Sequence, residues 1–322
     1  MIRSLKRNIL LAISLAAISY LILSFYADYE SVVNAFKKFN WFLFPLLLLL
    51  SYLNYTTRFI KWDFYLKLLK IKIKRIDSFQ IFMSGLIMSV TPGKMGELLK
   101  SYLVKQTTNE PISKTAPIIL VERVTDFLSL MIIAIIGAYV FDYGKLISVG
   151  VMLFFIVVVL VVLNRKLALK ILELMKRIAF LEKISEKLRT AYESAYILLK
   201  PSPLFKMIGV SFISWFFECF GFFLILDNFQ IDVSLLWSAF VYAFSTIVGA
   251  ITMLPGGLGA TEGSLTFMLN ENAIPLDVAV ASTFIIRVVT LWFAVLVGII
   301  SVLFYQRKFG SIQFENSDLK KD

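Results

Sequence analysis

Residues 92–97 read Pro-Gly-Lys-Met-Gly-Glu, and residues 255–259 read Pro-Gly-Gly-Leu-Gly, with Glu262 close behind. Both stretches follow the pattern Pro-Gly-x-x-Gly plus an acid, and each interrupts a long apolar segment. Proline ends a helix because it lacks an amide donor, and glycine permits a tight reversal of the backbone. Broken helices at matching places in two halves of a membrane protein indicate a substrate site near the middle of the bilayer. We therefore predict hairpin turns at Pro92, Gly93, Gly96, Pro255, Gly256, Gly257 and Gly259.

An arginine follows each motif at nearly the same distance. Arg123 lies 31 residues after Pro92, and Arg287 lies 32 residues after Pro255. Each arginine precedes a valine within the next apolar segment. The matched spacing predicts that the two halves of the chain are structural repeats.

The composition is that of a polytopic membrane protein. Hydrophobic residues make up 59% of the 322 residues, 30 residues are phenylalanine, and the mean hydropathy is +0.81. The chain has no histidine, which excludes imidazole catalysis and histidine-ligated zinc, and we expect no metal or other cofactor. The single cysteine, Cys219, cannot form an intrachain disulfide and is expected to be a small core residue. The net charge of +11 does not indicate nucleic-acid binding, because the cations flank apolar segments.

Hydropathy predicts an all-α polytopic membrane protein with about six transmembrane helices plus two re-entrant, broken-helix hairpins. The predicted spans are residues 9–25, 41–60, 118–141, 146–163, 204–226 and 278–305. The motifs break the segments 78–104 and 235–270, and we interpret each segment as a hairpin that returns to the side from which it entered.

The distribution of cations predicts the orientation of the chain. With six spans, both termini lie on one face, which also holds six cations in residues 61–75 and ten in residues 165–206, whereas the other face holds only Lys37, Lys38 and Lys145. Since positive charge marks cytoplasmic loops, we expect both termini on the cytoplasmic side of the cell membrane. The two hairpins then enter from opposite sides, which makes the halves an inverted repeat. We expect their tips to meet, because non-helical backbone at membrane depth needs protein or water around it.

A basic helical segment is predicted at residues 164–201 on the cytoplasmic side. Apolar residues recur there about every 3.5 positions, which gives one apolar stripe. The stripe fits a helix or helical pair on the inner leaflet, which we favour, or a coil that forms a homodimer. Residues 310–322 are polar and are expected to be a disordered tail, so that residues 1–309 form the integral membrane domain.

Charged residues inside the apolar segments are candidates for substrate binding. A charge at the bilayer centre costs at least ~2.5–3.5 kcal/mol and needs a partner or water. The candidates are Arg58, Glu97, Lys100, Glu122, Arg123, Asp126, Glu218, Glu262 and Arg287, with Lys94 on the turn of the first hairpin.

Structural roles also fit several of these residues. Asp126 can pair with Arg123 at i, i+3, which would neutralise the patch that they form with Glu122. Arg287 has no acid within four positions, so it needs a distant acid such as Glu262, or an anionic ligand.

Other candidates have local interpretations. Glu97 and Glu262 stand where the returning segments begin, so each can cap a helix. Arg58 and Trp62 form Arg-x-x-x-Trp at the end of the second predicted span, which is typical of an interfacial anchor. Glu218 is either a buried, hydrogen-bonded acid or part of the site.

At these motifs the sequence resembles the lysylphosphatidylglycerol synthase transmembrane-region family, the flippase-like module also found in the multiple peptide resistance factor. The resemblance covers nearly the whole chain and lies in Arg58-x-x-x-Trp62, Thr91-Pro92-Gly93-Lys94-Met95-Gly96-Glu97, Glu122-Arg123-x-x-Asp126 and Leu254-Pro255-Gly256-Gly257-Leu258-Gly259-x-x-Glu262. In bifunctional members a soluble aminoacyltransferase domain follows this module, whereas here 17 residues follow Tyr305, so we expect no synthase activity. The resemblance implies a flippase-like role, with a membrane phospholipid or a polyprenyl-phosphate-linked substrate as the partner.

Three functions remain open at this point. We favour a lipid translocase in which the two tips, two arginines and several acids form a polar cavity for a phosphate head group. The second is an integral-membrane enzyme or accessory subunit in lipid or lipid-linked glycan modification, with Glu97, Asp126 or Glu262 as general base. The third is a proton-coupled carrier of a small solute. An opening toward lipid favours the first function, and a closed central vestibule favours the third.

Overall fold

The structure, a computed structural model, describes residue 18 and residues 28–91, 97–142, 145–175 and 185–310. Every element in these ranges is helical, as the composition predicts. Apart from residue 18, the predicted first span lies outside the described residues, as do the turn residues Pro92, Gly93, Lys94 and Gly96 and residues 311–322 of the tail.

The helices follow one another with short connections. In chain order, the described α-helices are α1 (Tyr29–Lys38), α2 (Phe44–Leu68), α3 (Arg75–Gly85), α4 (Leu98–Thr108), α5 (Ile112–Val140), α6 (Lys145–Leu163), α7 (Arg165–Met175), α8 (Ser185–Leu198), α9 (Pro201–Asn228), α10 (Leu235–Ile251), α11 (Ala260–Glu271), α12 (Leu276–Arg287) and α13 (Phe293–Phe309). A π-helical turn at Val288–Trp292 joins α12 to α13, and the described 3-10 helices are Trp41–Leu43, Leu86–Val90 and Pro255–Gly257.

Local sequence explains several helix ends. Pro45 and Pro201 occupy the first turns of α2 and α9, where the missing amide of proline removes no helical hydrogen bond. The side chain of Ser234 caps α10 by accepting a hydrogen bond from the amide of Trp237 at 3.1 Å. Asn109 ends α4 with a φ of 60°, a left-handed conformation that asparagine tolerates well.

Three helical stretches are long and apolar enough to cross a membrane: Trp41–Leu68, Pro201–Asn228 and Leu276–Phe309. They contain the predicted spans at 41–60, 204–226 and 278–305. Two shorter helical stretches, Val149–Leu163 within α6 and Leu235–Ile251 (α10), are also apolar. Helix α5, which contains the predicted span at 118–141, is 29 residues long. The count of six spans and the re-entrant course of the hairpins stay predictions.

The prediction that the second span ends near residue 60 is wrong. Since α2 continues to Leu68, Lys61 lies in a helix and not in a cytoplasmic loop, and its side chain is fully buried. Trp62 is also fully buried, so it is not the interfacial anchor that its pairing with Arg58 suggested. Tyr65 is buried in the same apolar core, which explains why the helix extends beyond the purely apolar part of its sequence.

Helices α2 and α9 pack against each other in opposite directions. The amide of Asn40, just before α2, donates to Oδ1 of Asn228 at the end of α9, at 3.0 Å. Toward the other end of the pair, Nζ of Lys61 donates to Oγ of Ser211 at 2.7 Å. Residue numbers thus rise along α2 as they fall along α9, and Cys219 of α9 is buried in the core as predicted.

The described helix that precedes each motif packs on the long helix that follows the other motif. Helix α3 and Leu86–Val90 precede the first motif and pack on α13, whereas α10 precedes the second motif and packs on α5. A glycine allows each close approach: a Cβ on Gly298 of α13 would overlap the backbone of Ile87, and one on Gly137 of α5 would overlap the side chain of Phe240.

The segments around the two motifs also touch each other. Leu86–Val90 contacts the turn Pro255–Gly257 of the second motif. Val90 and Leu258 are buried in one small apolar cluster together with Leu291 of the π-helical turn. The segment that precedes the first motif and the turn of the second motif therefore lie in one region of the protein.

The predicted basic segment contains two described helices, α7 and α8, while residues 176–184 lie outside the described ranges. Helix α8 packs on α5 and α2, and its Leu198 is fully buried. Its position on the inner leaflet stays a prediction.

Candidate functional site

A cavity of ≈ 280 Å³ lies where the segment Leu86–Val90 meets the second motif, and its wall contains residues of both halves. It brings together four predicted charged residues, Arg58, Arg123, Glu218 and Arg287, with the turn glycines Gly256 and Gly257. The other lining residues are Tyr55, Leu86, Ser89, Phe127, Trp215, Tyr242, Thr246, Gly249, Ala250, Met253, Leu254, Thr261, Thr290, Leu291 and Ala294.

The second motif itself holds Arg287. Its Nε donates to Oε1 of Glu262 at 2.7 Å, and its Nη2 donates to the carbonyl oxygen of Gly256 at 2.5 Å. Oε2 of Glu262 accepts from the amide of Gly259 at 2.7 Å. Gly256 and Gly259 have φ values of 62° and 84°, which glycine adopts without a steric penalty. Glu262 therefore both caps α11 and neutralises the arginine.

The first half repeats the pairing of motif acid and arginine. Nη2 of Arg123 forms an ion pair with Oε1 of Glu97, and Oε2 of Glu97 lies 3.5 Å from Nζ of Lys100. The Glu97 side chain makes no capping bond at the start of α4, so the capping interpretation is wrong for this residue. In each half, the acid of the motif thus contacts the arginine of the following long helix.

Asp126 pairs with Lys61 at 2.5 Å and, more distantly, with Arg58 at 3.6 Å. Nζ of Lys61 also donates to Oγ1 of Thr125 at 3.2 Å. The expected pairing of Asp126 with Arg123 is therefore replaced by pairs with residues of α2. The reason is that buried Lys61 itself requires an anion.

A further internal pair joins Lys100 and Glu122 at 2.6 Å. Both side chains are buried, and Nζ of Lys100 also lies 4.8 Å from the ring centroid of Trp62. Neither charge lines the cavity. These two candidates connect α4 to α5 behind the site.

The cavity wall is cationic, and most of the compensating acids lie behind it. Three arginines line the cavity, whereas Glu218 is the one acid among its described lining residues. Glu97, Asp126 and Glu262 are outside the lining, and each is bound to a basic side chain. Carboxylates so placed are poorly positioned as general bases on a molecule in the cavity.

Glu218 and Tyr242 form a hydrogen-bonded pair on the cavity wall. The hydroxyl of Tyr242 donates to Oε2 of Glu218 at 2.7 Å, and both residues line the cavity. The hydroxyl of Tyr55, another lining residue, donates to the carbonyl oxygen of Thr290 at 2.6 Å. That carbonyl lies in the π-helical turn, a feature often found at functional sites.

Sequence reasoning missed Lys61, Tyr55 and Tyr242. Lys61 stands three residues after Arg58, so both project from one face of a helix. Continuing the helical pattern past residue 60 would have found it. The two tyrosines carry no comparable signal, because tyrosine is common in membrane helices and their partners are distant in the sequence.

Both motifs lie within a region of the chain that matches a known protein family. A model of the Lysylphosphatidylglycerol synthase TM region matches residues 9–298, a range that contains both motifs and every described lining residue. The chain belongs to this family. As expected for the Lysylphosphatidylglycerol synthase TM region, it is a membrane protein with helices able to span a membrane.

Several proteins that are similar to this chain are named UPF0104 membrane proteins. One from Methanocaldococcus jannaschii is 27% identical over 230 residues, covering 68% of this chain and 93% of the relative. Another from the same organism is 24% identical over 331 residues, covering 95% and 97%. One from Methanothermobacter thermautotrophicus is 23% identical over 273 residues, covering 76% and 80%. These names state a membrane location and no substrate.

Proposed function

We propose that the protein is a flippase-like lipid translocase that moves an anionic or lipid-linked head group between membrane leaflets. The observation that carries this proposal is the cationic wall. Arg58, Arg123 and Arg287 come from α2, α5 and α12 and line one cavity, against a single acid among the described lining residues. Arginine presents a planar fork of donors that matches phosphate oxygens, so a phosphate-bearing head group suits this wall.

The edge of the cavity supports a lipid as the substrate. Met253 and Leu254 line the cavity, yet 70% and 43% of their surfaces remain exposed. Apolar side chains at the edge allow acyl chains to stay in the lipid while the head group enters the polar interior. The substrate is then a membrane phospholipid or a polyprenyl-phosphate-linked molecule.

We also propose that the two halves form an inverted repeat with two re-entrant hairpins, about six spans and cytoplasmic termini. The opposite directions of α2 and α9 support this arrangement, because each precedes one motif. The reciprocal packing of α3 on α13 and of α10 on α5 supports it as well. In transporters with such repeats, the substrate binds where the repeats meet.

Reconstitution into vesicles tests the proposed function. Vesicles of phosphatidylcholine carry a trace of tail-labelled phosphatidylglycerol, and dithionite is added to destroy the label in the outer leaflet only. If the protein moves the lipid, nearly all label is lost, whereas protein-free vesicles keep about half, the share of the inner leaflet in a symmetric bilayer. Equal protection with and without protein would refute translocation of this lipid.

A matched pair of variants connects the activity to the cavity. Ala250 is exposed and lines the cavity, whereas its neighbour Ile251 is exposed and does not. We expect Ala250→Trp to obstruct the head group and to slow label loss severalfold, and Ile251→Trp to leave it unchanged. Equal rates for the two variants would place the pathway elsewhere.

A second candidate function, proton-coupled transport of a small solute, is favoured by the pair of Glu218 and Tyr242. A buried acid on a cavity wall is a common proton carrier in transporters. This function predicts that a pH-sensitive dye inside the vesicles responds when inorganic phosphate is added outside, and that Glu218→Gln abolishes the response. Lipid translocation without any proton movement would reject it.

A further inference from the structure

We propose that Arg58 and Trp215 form the subsite that binds the phosphate oxygens, whereas Arg123 and Arg287 are positioning residues that hold the two broken segments. The inference rests on the proposed function for the identity of the ligand. It assigns the ligand contact to α2 and α9 and not to the arginines that the repeat singles out.

Two hydrogen-bond donors on the cavity wall carry this inference. Nε of Arg58 and Nε1 of Trp215 are buried and have no hydrogen-bond partner among the residues that the structure describes. The two residues are only 9% and 6% exposed, and both line the cavity. Buried donors are nearly always satisfied, and neither group can accept a hydrogen bond. Other buried donors outside the cavity, Nε1 of Trp62 among them, also have no partner among the described residues, so it is their position on the cavity wall that makes Arg58 and Trp215 candidates for an entering acceptor.

The helix pairing places the two donors on the same stretch of the interface between α2 and α9. Nδ2 of Asn54 donates to the carbonyl oxygen of Ser214 at 2.8 Å. Arg58 lies one helical turn after Asn54, and Trp215 directly follows Ser214. Since both residues also line the same cavity, we expect one ligand to reach both donors.

A second bond defines the other end of this stretch. Lys61, three residues after Arg58, donates to Ser211, four residues before Trp215, at 2.7 Å. The subsite is thus framed by two hydrogen bonds between α2 and α9. Such a frame holds the donors rigidly, which favours specific binding.

The arginines of the repeat are already engaged by protein groups. Arg287 uses Nε for Glu262 and Nη2 for the carbonyl of Gly256. Arg123 is ion-paired with Glu97 through Nη2, an atom that, like Nε of Arg58, makes no hydrogen bond to the described residues. Arg58 is different, because Asp126 lies 3.6 Å from it but only 2.5 Å from Lys61. Arg58 is therefore only weakly paired with Asp126, and its Nε remains available to an external acceptor.

Phosphate matches these two donors chemically. Its tetrahedral oxygens point in several directions, so that one group can accept from a guanidinium and an indole at the same time. A lipid head group and free inorganic phosphate share this chemistry, and the two arms of the experiment distinguish them.

The first arm measures equilibrium binding of radiolabelled inorganic phosphate to the purified protein. Trp215→Phe keeps a ring in the buried position but removes the donor, and we expect about tenfold weaker binding from the loss of one hydrogen bond to an anion. Arg58→Lys is expected to weaken binding similarly. Trp237→Phe makes the same chemical change at a buried tryptophan outside the lining and is expected to have no effect.

The second arm measures loss of label from the phosphatidylglycerol vesicles with the same variants. Slower translocation by Trp215→Phe than by Trp237→Phe supports the subsite even if free phosphate does not bind. If Trp215→Phe matches the wild type in both arms, or if Arg287→Lys weakens phosphate binding more than Trp215→Phe does, the subsite is refuted. If the wild type moves no lipid but Trp215→Phe weakens phosphate binding, the proposed function fails and the subsite stands as a site for free phosphate.

Discussion

Several buried charges in the described part of this protein form pairs between elements, because an uncompensated charge in an apolar interior is strongly unfavourable. Lys61 reaches from α2 to Asp126 on α5, and Lys100 reaches from α4 to Glu122 on the same long helix. Removing one partner leaves the other charge isolated, whereas removing both leaves only a change in packing. Single and double substitutions are therefore expected to differ sharply.

The pair of Lys100 and Glu122 provides the first test. Lys100→Met leaves the buried carboxylate of Glu122 without its cation, and we expect a loss of about 3–5 kcal/mol in the free energy of unfolding. The double variant Lys100→Met/Glu122→Leu is expected to recover most of that loss. Unfolding in detergent measures both values.

Arg165→Met, which breaks an exposed pair with Glu193, serves as control and should change stability by less than about 1 kcal/mol. A double variant no more stable than the single one would contradict the pairing argument.

Arg287→Lys tests the contact between arginine and turn. Lysine keeps the charge but cannot reach Glu262 and the carbonyl of Gly256 with the geometry of a guanidinium. We expect a folded protein that is less stable by about 1–3 kcal/mol, the contribution of a hydrogen bond to a charged group. Thermal unfolding measures the change, with exposed Arg307→Lys as control. Unchanged stability would show that the bond to Gly256 contributes nothing.

Sequence spacing pointed to two arginines that line the cavity, but it did not identify the partners of the buried charges. The matched spacing of Arg123 and Arg287 found two lining residues, because an arginine in an apolar segment is costly and its recurrence at a matched position indicates a shared role. The i, i+3 rule failed for Asp126, since its partner Lys61 is 65 residues away and local rules cannot detect it. Direct contact of Arg123 and Arg287 with the ligand stays a prediction from the sequence, and the proposed subsite at Arg58 and Trp215 is the alternative to it.

At the level of elements, close packing of the broken segments depends on single glycines. Helix α13 lies so near Leu86–Val90 that Gly298 has the backbone of Ile87 where a side chain would begin. Backbone cannot move aside as a flexible side chain can. Interrupted helices were predictable from Pro-Gly pairs, but this crossing was not, because it depends on residues more than 200 positions apart in the sequence.

Gly298→Ala is therefore expected to destabilise the protein. Adding one methyl group against the backbone of Ile87 overpacks the crossing, and we expect a loss of about 1–3 kcal/mol. Gly209→Ala is the matched control: it lies in helix α9 with nothing near the added Cβ, so it should be neutral or stabilise the helix by up to about 1 kcal/mol. Melting temperatures in detergent compare the two. Equal melting temperatures for the two variants would mean that the helices at this crossing move apart without a measurable loss of stability.

For the whole molecule, the sequence predicted the all-helical membrane class, because 59% hydrophobic residues leave few alternatives. Helix ends were harder to predict: α2 extends past residue 60 only because Trp62 and Tyr65 find partners in the folded core. The orientation in the membrane follows from cation placement alone and stays a prediction.

Cysteine labelling tests that orientation. In a Cys219→Ala background, we expect Lys200→Cys to react with an impermeant reagent only from the cytoplasmic side and Asp232→Cys only from outside. Lys200 and Asp232 are both exposed, and they lie at opposite ends of α9, whose 28 residues exceed the roughly 20 that a membrane span needs. Labelling of both from one side would refute the six-span topology and, with it, the inverted repeat.

The reciprocal packing of the two halves has a consequence for biosynthesis. The surface that covers α3 and Leu86–Val90 belongs to α13, the last helix of the described residues. During translation the first half therefore leaves the ribosome before its partner surface exists. We expect membrane insertion of α13 to complete the packing of the first half, and a chain shortened before Gly298 to leave Leu86–Val90 without the helix that covers it.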